Sequence, residues 1–244
     1  DSGGDTSNTI FGYLAGDKIA SGGLRNTLIG KQTGNQTTYG ITTGDDNTAI
    51  GSSALGASAG ADITGSNNTA VGSQALLELE GAAASNTAIG MNALKILTTG
   101  TDNTAVGVGA GDAITDTTNC TLVGKNAGGG INDTDANGTT AIGHSALAAL
   151  TDGAANMAIG YQAMLEHTTG GSNTVLGYGA MDSTNAGNNS LASEGNVFIG
   201  KDSGGGTWGD TSQTSNNVGI GKDSMSGTMD GVDDCVIIGT GAGA

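Results

Sequence analysis

Asn68-Thr69-Ala70-Val71-Gly72-Ser73-Gln74-Ala75-Leu76 decides the fold, because its first five residues recur as Asn-Thr-Ala-Ile-Gly or a near variant thirteen times in 244 residues. The glycines that close the pentapeptide are Gly12, Gly30, Gly51, Gly72, Gly90, Gly107, Gly124, Gly143, Gly160, Gly177, Gly200, Gly221 and Gly239, at intervals of 17 to 23 residues. A period of that size belongs to stacked, quasi-one-dimensional architectures, in which one short unit buries its apolar side only against its neighbours.

Counting each repeat, or rung, from its Asn as slot 1, slot 2 is mostly Thr, with Met157, Val197, Val218 and Val236 as replacements. Slot 3 is usually Ala, slot 5 is always Gly, and slot 4 is always large and apolar. Beta-branched residues at slots 2 and 4 mark a short strand. Side chains alternate along a strand, so slots 2 and 4 share one face and slots 1, 3 and 5 the other. Neither face carries charge, which predicts a sheet covered on both sides. One side lines the coil, and an identical surface of another copy is the economical cover for the other. The slot 4 residues Ile29, Ile50, Val71, Ile89, Val106, Val123, Ile142, Ile159, Leu176, Ile199, Ile220 and Ile238 are therefore expected as structural core. Asn47, Asn68, Asn86, Asn103, Asn156 and Asn173 are expected to stack as an amide ladder.

Slots 8 and 9 read as a corner. Ala75-Leu76 with Leu79, Ala93-Leu94 with Leu97, and Ala146-Leu147 with Leu150 have the three- and four-residue spacing of about one helical turn. Where slot 9 is Gly, as at Gly34 and Gly128, a tight turn is expected instead. The rest of each period is variable and rich in Thr, Gly, Asp, Ser and Asn, longest from Met181 to Gly195. Insertions in repeat proteins gather on one face, often the binding face. The expectation is thus all-β, a parallel β-solenoid of about 13 rungs, residues 1–244 forming one array with no internal boundary and no evident caps.

Composition agrees. The chain has 47 Gly and no Pro, and proline would delete a ladder donor wherever it fell. A net charge of −16 with only seven Lys and Arg disfavours nucleic acid, whose phosphates call for clustered cations. No apolar stretch reaches the ~20 residues of a membrane span. Cys120 and Cys235 both fall in the Asn slot, six rungs apart, or ~29 Å at ~4.8 Å per rung, which excludes a disulfide within one chain.

Repeats such as Asn68–Leu76 and Asn156-Met-Ala-Ile-Gly-Tyr-Gln-Ala-Met164 resemble the arrays of phage tail fibres and bacterial surface fibres. More distantly, they look like a lengthened form of the repeat in trimeric autotransporter adhesin heads. The resemblance implies a homotrimer of parallel solenoids, displayed outside the cell or on a virion, with a structural or adhesive role toward a cell-surface receptor or glycan.

Catalytic chemistry is not expected. His144 sits at slot 6, where Tyr13, Tyr161, Tyr178 and Lys31 sit in other rungs, and His167 lies in a variable segment. Neither has a nucleophile and orienting carboxylate that stand out from the background. No glycine cluster has a phosphate-loop context, so no cofactor is expected. Calcium is the one metal considered, at Asp45, Asp46, Asp102, Asp133, Asp135, Asp233 and Asp234, because oxygen-rich turns suit it. An ice-binding surface is disfavoured, since slot 2 Thr shares its face with bulky aliphatics and gives way to Val or Met in four rungs. The reading is a non-enzymatic module of an extracellular fibre. Its rival is a filament subunit that stacks end to end.

Overall fold

The computed structural model describes residues 7–20, 22–34, 40–57, 61–132, 134–184, 192–209 and 211–243. Thirteen three-residue strands occupy slots 2 to 4 of the thirteen repeats. They are β1 (Thr9–Phe11), β2 (Thr27–Ile29), β3 (Thr48–Ile50), β4 (Thr69–Val71), β5 (Thr87–Ile89), β6 (Thr104–Val106), β7 (Thr121–Val123), β8 (Thr140–Ile142), β9 (Met157–Ile159), β10 (Thr174–Leu176), β11 (Val197–Ile199), β12 (Val218–Ile220) and β13 (Val236–Ile238). The chain is an all-β parallel solenoid, and it divides into two compact units, Asp1–Cys120 and Thr121–Ala244.

Within the first unit β1 to β6 pair in chain order, parallel and with no slip: Thr48 faces Thr69, Ala49 faces Ala70, Ile50 faces Val71. The second unit repeats this from β7 to β13. Each slot 2 amide donates to the slot 1 carbonyl of the next rung, as Thr48 N does to Asn68 O at 2.8 Å. Each slot 5 amide donates back to the preceding slot 4 carbonyl, as Gly72 N does to Ile50 O at 2.8 Å. Strands inside each unit are thus clamped at both ends, and proline there would delete a donor of the ladder.

Slot 5 must be glycine on two counts. Its φ lies between 132° and 156° in all thirteen rungs, a region closed to L side chains. A Cβ on Gly51 would also stand 2.5 Å from the carbonyl oxygen of Gly72 in the next rung.

The corner is not the helical turn the leucine spacing suggested. The one helical element among the described residues is a 3₁₀ turn at Thr134–Ala136. Slots 5 to 8 instead close a β-turn, with Ala75 N donating to Gly72 O at 3.4 Å, and slot 7 has φ near +60° (Gln74 61°, Asn92 60°). That is the position at which a type II turn demands positive φ. Slot 9 is left-handed too, even when it is Leu or Met: Leu76 has φ 50°, Leu94 47°, Met164 54°. Left-handed backbone costs a non-glycine residue roughly 1–2 kcal/mol. Burying a Leu side chain returns roughly 1.5–3 kcal/mol, and Leu55, Leu76, Leu94 and Leu147 are fully buried. Burial wins, so the strained leucine persists. A second turn follows, Leu97 N donating to Leu94 O at 3.2 Å, and it sends slot 12 (Leu79, Leu97, Ile114, Ile131, Leu150) into the same interior.

Slots 3 and 9 fill one common space from opposite walls. Where slot 3 is Ala (Ala49, Ala70, Ala88, Ala141, Ala158), slot 9 is Leu or Met (Leu55, Leu76, Leu94, Leu147, Met164). Where slot 3 is large (Ile10, Leu28, Leu122, Phe198, Ile237), slot 9 is Gly (Gly16, Gly34, Gly128, Gly204, Gly243). A Cβ on Gly34 would lie 2.7 Å from Leu28, and one on Gly204 would lie 2.8 Å from the Phe198 ring. At β12 the roles invert fully, and a Cβ on Gly219 would meet Phe198 of the rung before and Met225 of its own. The rule loosens at β10 (Val175 with Met181) and fails at β6 (Ala105 with Gly111).

The expected core therefore needs correction. The interior of each chain is slots 1, 3, 8, 9 and 12, whereas slot 4 points outward. Ile50, Ile89 and Leu176 are 39%, 40% and 45% exposed, and Ile238 67%. Ile29, Val71, Val106, Val123, Ile142, Ile159, Ile199 and Ile220 are half-buried, while the slot 3 residues between slots 2 and 4 are buried throughout β2 to β12. Side-chain size misled: where Leu or Met at slot 9 fills the interior, the inward strand residue is Ala, and the larger aliphatic of slot 4 stands on the outer face.

Candidate functional site: the outward strand face and its borders

Slot 1 fixes how the strand face is presented. Asn68 N and Nδ2 both donate to Asn47 Oδ1, at 2.9 and 3.1 Å, and Nδ2 also donates to the Ala83 carbonyl at 2.9 Å. Asn86, Asn103, Asn173, Asn196 and Asn217 repeat the pattern. The buried amide oxygens of Asn47, Asn68, Asn86, Asn156, Asn173 and Asn196 thus each accept two bonds from the following rung, which compensates their burial. The Asn amide both accepts and donates across a rung. Thr139, which holds the slot ahead of Asn156, buries an Oγ1 that finds no hydrogen-bond partner. In each unit the ladder closes on a cysteine: Cys120 N donates to Asn103 Oδ1 and Cys235 N to Asn217 Oδ1, both at 3.0 Å. Neither cysteine is in a disulfide.

This ladder holds slots 2 and 4 outward in register. In the first unit Thr27, Thr48, Thr69, Thr87 and Thr104 line up beside Ile29, Ile50, Val71, Ile89 and Val106. In the second, Thr121, Thr140, Met157, Thr174, Val197, Val218 and Val236 line up beside Val123, Ile142, Ile159, Leu176, Ile199, Ile220 and Ile238. No charged residue occurs at either slot in any of the thirteen rungs. Contiguous outward apolar surface of this kind makes the strand face the candidate site.

The two borders of the face differ. Past its C-terminal edge runs slot 6, which takes four of the chain's seven basic residues: Lys31, Lys125, Lys201 and Lys222. Between them His144, Tyr161 and Tyr178 stack at 5.3 and 5.1 Å between ring centroids, and Lys201 Nζ stands 5.6 Å from the Tyr178 ring. Before its N-terminal edge lie the two residues ahead of the Asn, where Asp45, Asp46, Asp102, Glu194, Asp233 and Asp234 cluster and Arg25 is the single base. Arg25 bonds Asp46 at 2.7 and 2.8 Å and Asp45 at 3.2 Å, and this holds the Asp46 carboxyl below its ordinary range.

Two of the aspartates expected as calcium ligands accept instead from backbone amides of the rung before. Asp45 Oδ1 accepts from Leu24 N at 2.8 Å and Asp233 Oδ1 from Ser215 N at 2.7 Å. Asp46 serves Arg25, and Asp133 lies outside the described residues. Asp135 lines a shallow groove of about 510 Å³ with Asp152 and Glu194. Among the described residues no three His, Cys, Asp or Glu side chains converge on a common point. Much of the long excursion from Met181 to Gly195 is likewise outside the described residues.

His167 was missed as an interior residue. It takes slot 12, where Leu97 and Leu150 sit in other rungs, and is fully buried. Its Nε2 lies 2.8 Å from the Gly170 carbonyl, which assigns the proton to Nε2, and Nδ1 faces Thr184 Oγ1 at 3.5 Å. Desolvation lowers its pKa from 6.5 to about 4, against the bond to Gly170 that raises it, so the ring is a neutral core filler near pH 7. The signal available in the sequence was its distance of three residues from Met164, the same as Leu94 to Leu97.

No protein-family model, curated protein or solved structure matches this chain. What the fold defines is a class: a repeat protein built as a parallel β-solenoid.

Proposed function

We infer that this chain is a structural module of an extracellular fibre, assembled from copies that cover one another's outward strand faces. The observation that carries the reading is that face itself, uncharged in every rung and half-exposed in aliphatic residues such as Ile50, Ile89 and Leu176. Isolated chains would leave it in water at a cost of about 25 cal/mol per Å². The resemblance to fibre and adhesin-head repeats supports a homotrimer, with the variable segments displayed toward a receptor or glycan. Net charge of −16 would keep assembled particles apart in solution. End-to-end stacking into a filament is the rival assembly.

Light scattering on the untagged chain decides between them. A mass of about 70 kDa, three times 23.4 kDa, is expected for the closed trimer; a large, dispersed mass would favour the filament, and 23.4 kDa would remove both. Ile142→Lys then separates face from core. Because Ile142 is outward and half-buried, this variant is expected to keep its circular dichroism and lose assembly. Ala141→Lys, a charge in the dry interior, is expected to unfold the chain.

A second reading rests on the same surface. Thr27 to Thr104 stand in register on a half-exposed face, an ordered array of hydroxyls and methyls of the sort that can order water. Thermal hysteresis in a monomeric sample would select it over assembly.

A further inference from the structure

The two borders of the outward face carry opposite charge, and this asymmetry has a geometric consequence for any pair of copies that meet through it. Let the strand direction run from the acidic border to the slot 6 border. Two identical faces can oppose each other with their solenoid axes parallel or antiparallel. Turning a copy about an axis along the solenoid keeps the axes parallel and reverses the strand direction, so the acidic border of one copy meets the slot 6 border of the next. Turning it about the strand direction makes the axes antiparallel, and like borders meet. The same rule holds for a three-fold ring, where each copy offers one border to each neighbour.

In the second unit the acidic border carries Glu194, Asp233 and Asp234, all exposed, and no base among the residues directly ahead of slot 1. The slot 6 border carries exposed Lys125, Lys201 and Lys222 and no acid at slot 6. Asp202 and Asp223 at slot 7 pair with Lys201 and Lys222, so this border is only mildly basic, yet its sign still opposes the other. Heights match as well: Lys201 and Glu194 belong to the same rung, and Lys222 is one rung from Asp233 and Asp234. The first unit has the same polarity by itself, with Lys31 on one border and Asp45, Asp46 and Asp102 outnumbering Arg25 on the other, Lys31 being one rung from Asp45 and Asp46.

Resting on the reading that copies of this chain associate through the outward face, we propose that its borders form a complementary recognition surface. The slot 6 lysines of one copy engage the acidic residues ahead of slot 1 in the next, and this selects a second copy in the parallel orientation. Opposing acidic borders, as antiparallel copies would require, repel, and like-charge juxtaposition is the usual means by which a wrong partner geometry is rejected. Because the lysines and nearly all of the acids are exposed, the selection is screened by salt.

The test compares four full-length proteins by sedimentation at low and high salt: the parent, K201E/K222E, E194K/D234K, and the four-residue swap. Asp233 is left in place because it caps Ser215. Each reversal is expected to weaken self-association at least tenfold at low salt, and less at high salt, with an unchanged circular dichroism spectrum. The four-residue swap, which exchanges the borders, is expected to recover association to within about threefold. Dye attached at Cys235, Cys120 being buried, reports orientation, and strong energy transfer between copies is expected because parallel chains bring these sites to one end. Association that ignores the reversals, or a swap that fails to rescue, overturns this proposal while leaving assembly through the apolar face intact. A parent chain that stays monomeric overturns the assembly reading, and this proposal with it.

Discussion

The rungs of β3, β4 and β5 and the rungs of β2, β7 and β11 solve one packing problem in opposite ways. The first set lines the strand wall with Ala and fills the space from the corner with Leu55, Leu76 and Leu94; the second fills it from the strand with Leu28, Leu122 and Phe198 and leaves Gly at the corner. Neither solution is free of cost. The corner leucines sit in left-handed backbone, at φ 47–51°, whereas the corner glycines give up chain entropy on folding. What the interior demands is a volume per rung, not a residue per slot, and either wall can supply it.

The comparison breaks most directly at Phe198, the bulkiest strand-wall residue. Phe198→Ala is expected to cost about 3–5 kcal/mol in urea unfolding, because Gly204 and Gly219 bring no side chain to the space. Adding Gly204→Leu to that variant converts the rung to the Ala-plus-Leu solution and is expected to recover part of the loss. The same Gly204→Leu beside an intact Phe198 is expected to destabilise, since a Cβ there already meets the ring at 2.8 Å. Independent, additive costs for the two changes would show that the walls do not share one space.

A smaller effect tests the polar filler at slot 12. His167 has a folded pKa lowered to about 4 from 6.5, so the unfolded chain takes up the proton first. Its neutral form supports the fold fully above about pH 6.5, and that support is lost as pH falls from 6.5 toward 4, about 2 kcal/mol being gone by pH 5. His167→Leu, which restores the filler used at Leu97 and Leu150, is expected to flatten this part of the stability profile relative to the parent. An identical slope in both proteins would place the pH dependence on groups other than His167, and not on Asp182, whose burial-raised pKa makes the fold more stable as pH falls.

The smallest effect concerns left-handed residues that fill nothing. Gln74 at slot 7 has φ 61° and is only half-buried, so Gln74→Gly is expected to stabilise by about 0.5–1 kcal/mol. Leu76→Gly, two residues on, is expected to destabilise despite relieving the same kind of strain, because Leu76 is fully buried. If both variants moved in the same direction, burial would not be what holds Leu76 in place.

The sequence made the strand legible because its five slots are local and nearly invariant along the chain, and the all-β solenoid follows from them. The corner was harder to read. Gln74, Asn92 and Asp202 at slot 7 are the polar types that tolerate positive φ, a usable signal, but Leu76 and Leu94 in the same geometry follow no local preference and are set by burial alone. The inward face was misjudged because neither face carries charge, so polarity could not choose between Ile89 and Ala88. The exchange between slots 3 and 9 chooses, yet it appears only when residues six apart are compared within one rung. His167 was concealed because a residue type that reads as surface stands in a position that reads as core only through Met164 before it.

The asparagine ladder has one more consequence, for heredity. Asn86 and Asn103 each donate two hydrogen bonds to the amide before them, so rungs of this kind carry no information about their place in the series. A stretch of DNA encoding one repeat can be copied or lost by recombination between near-identical neighbours, and the product lengthens or shortens by ~4.8 Å with its internal bonding unchanged. For such a gene, size is a quantity that can drift in whole steps while the fold stays fixed.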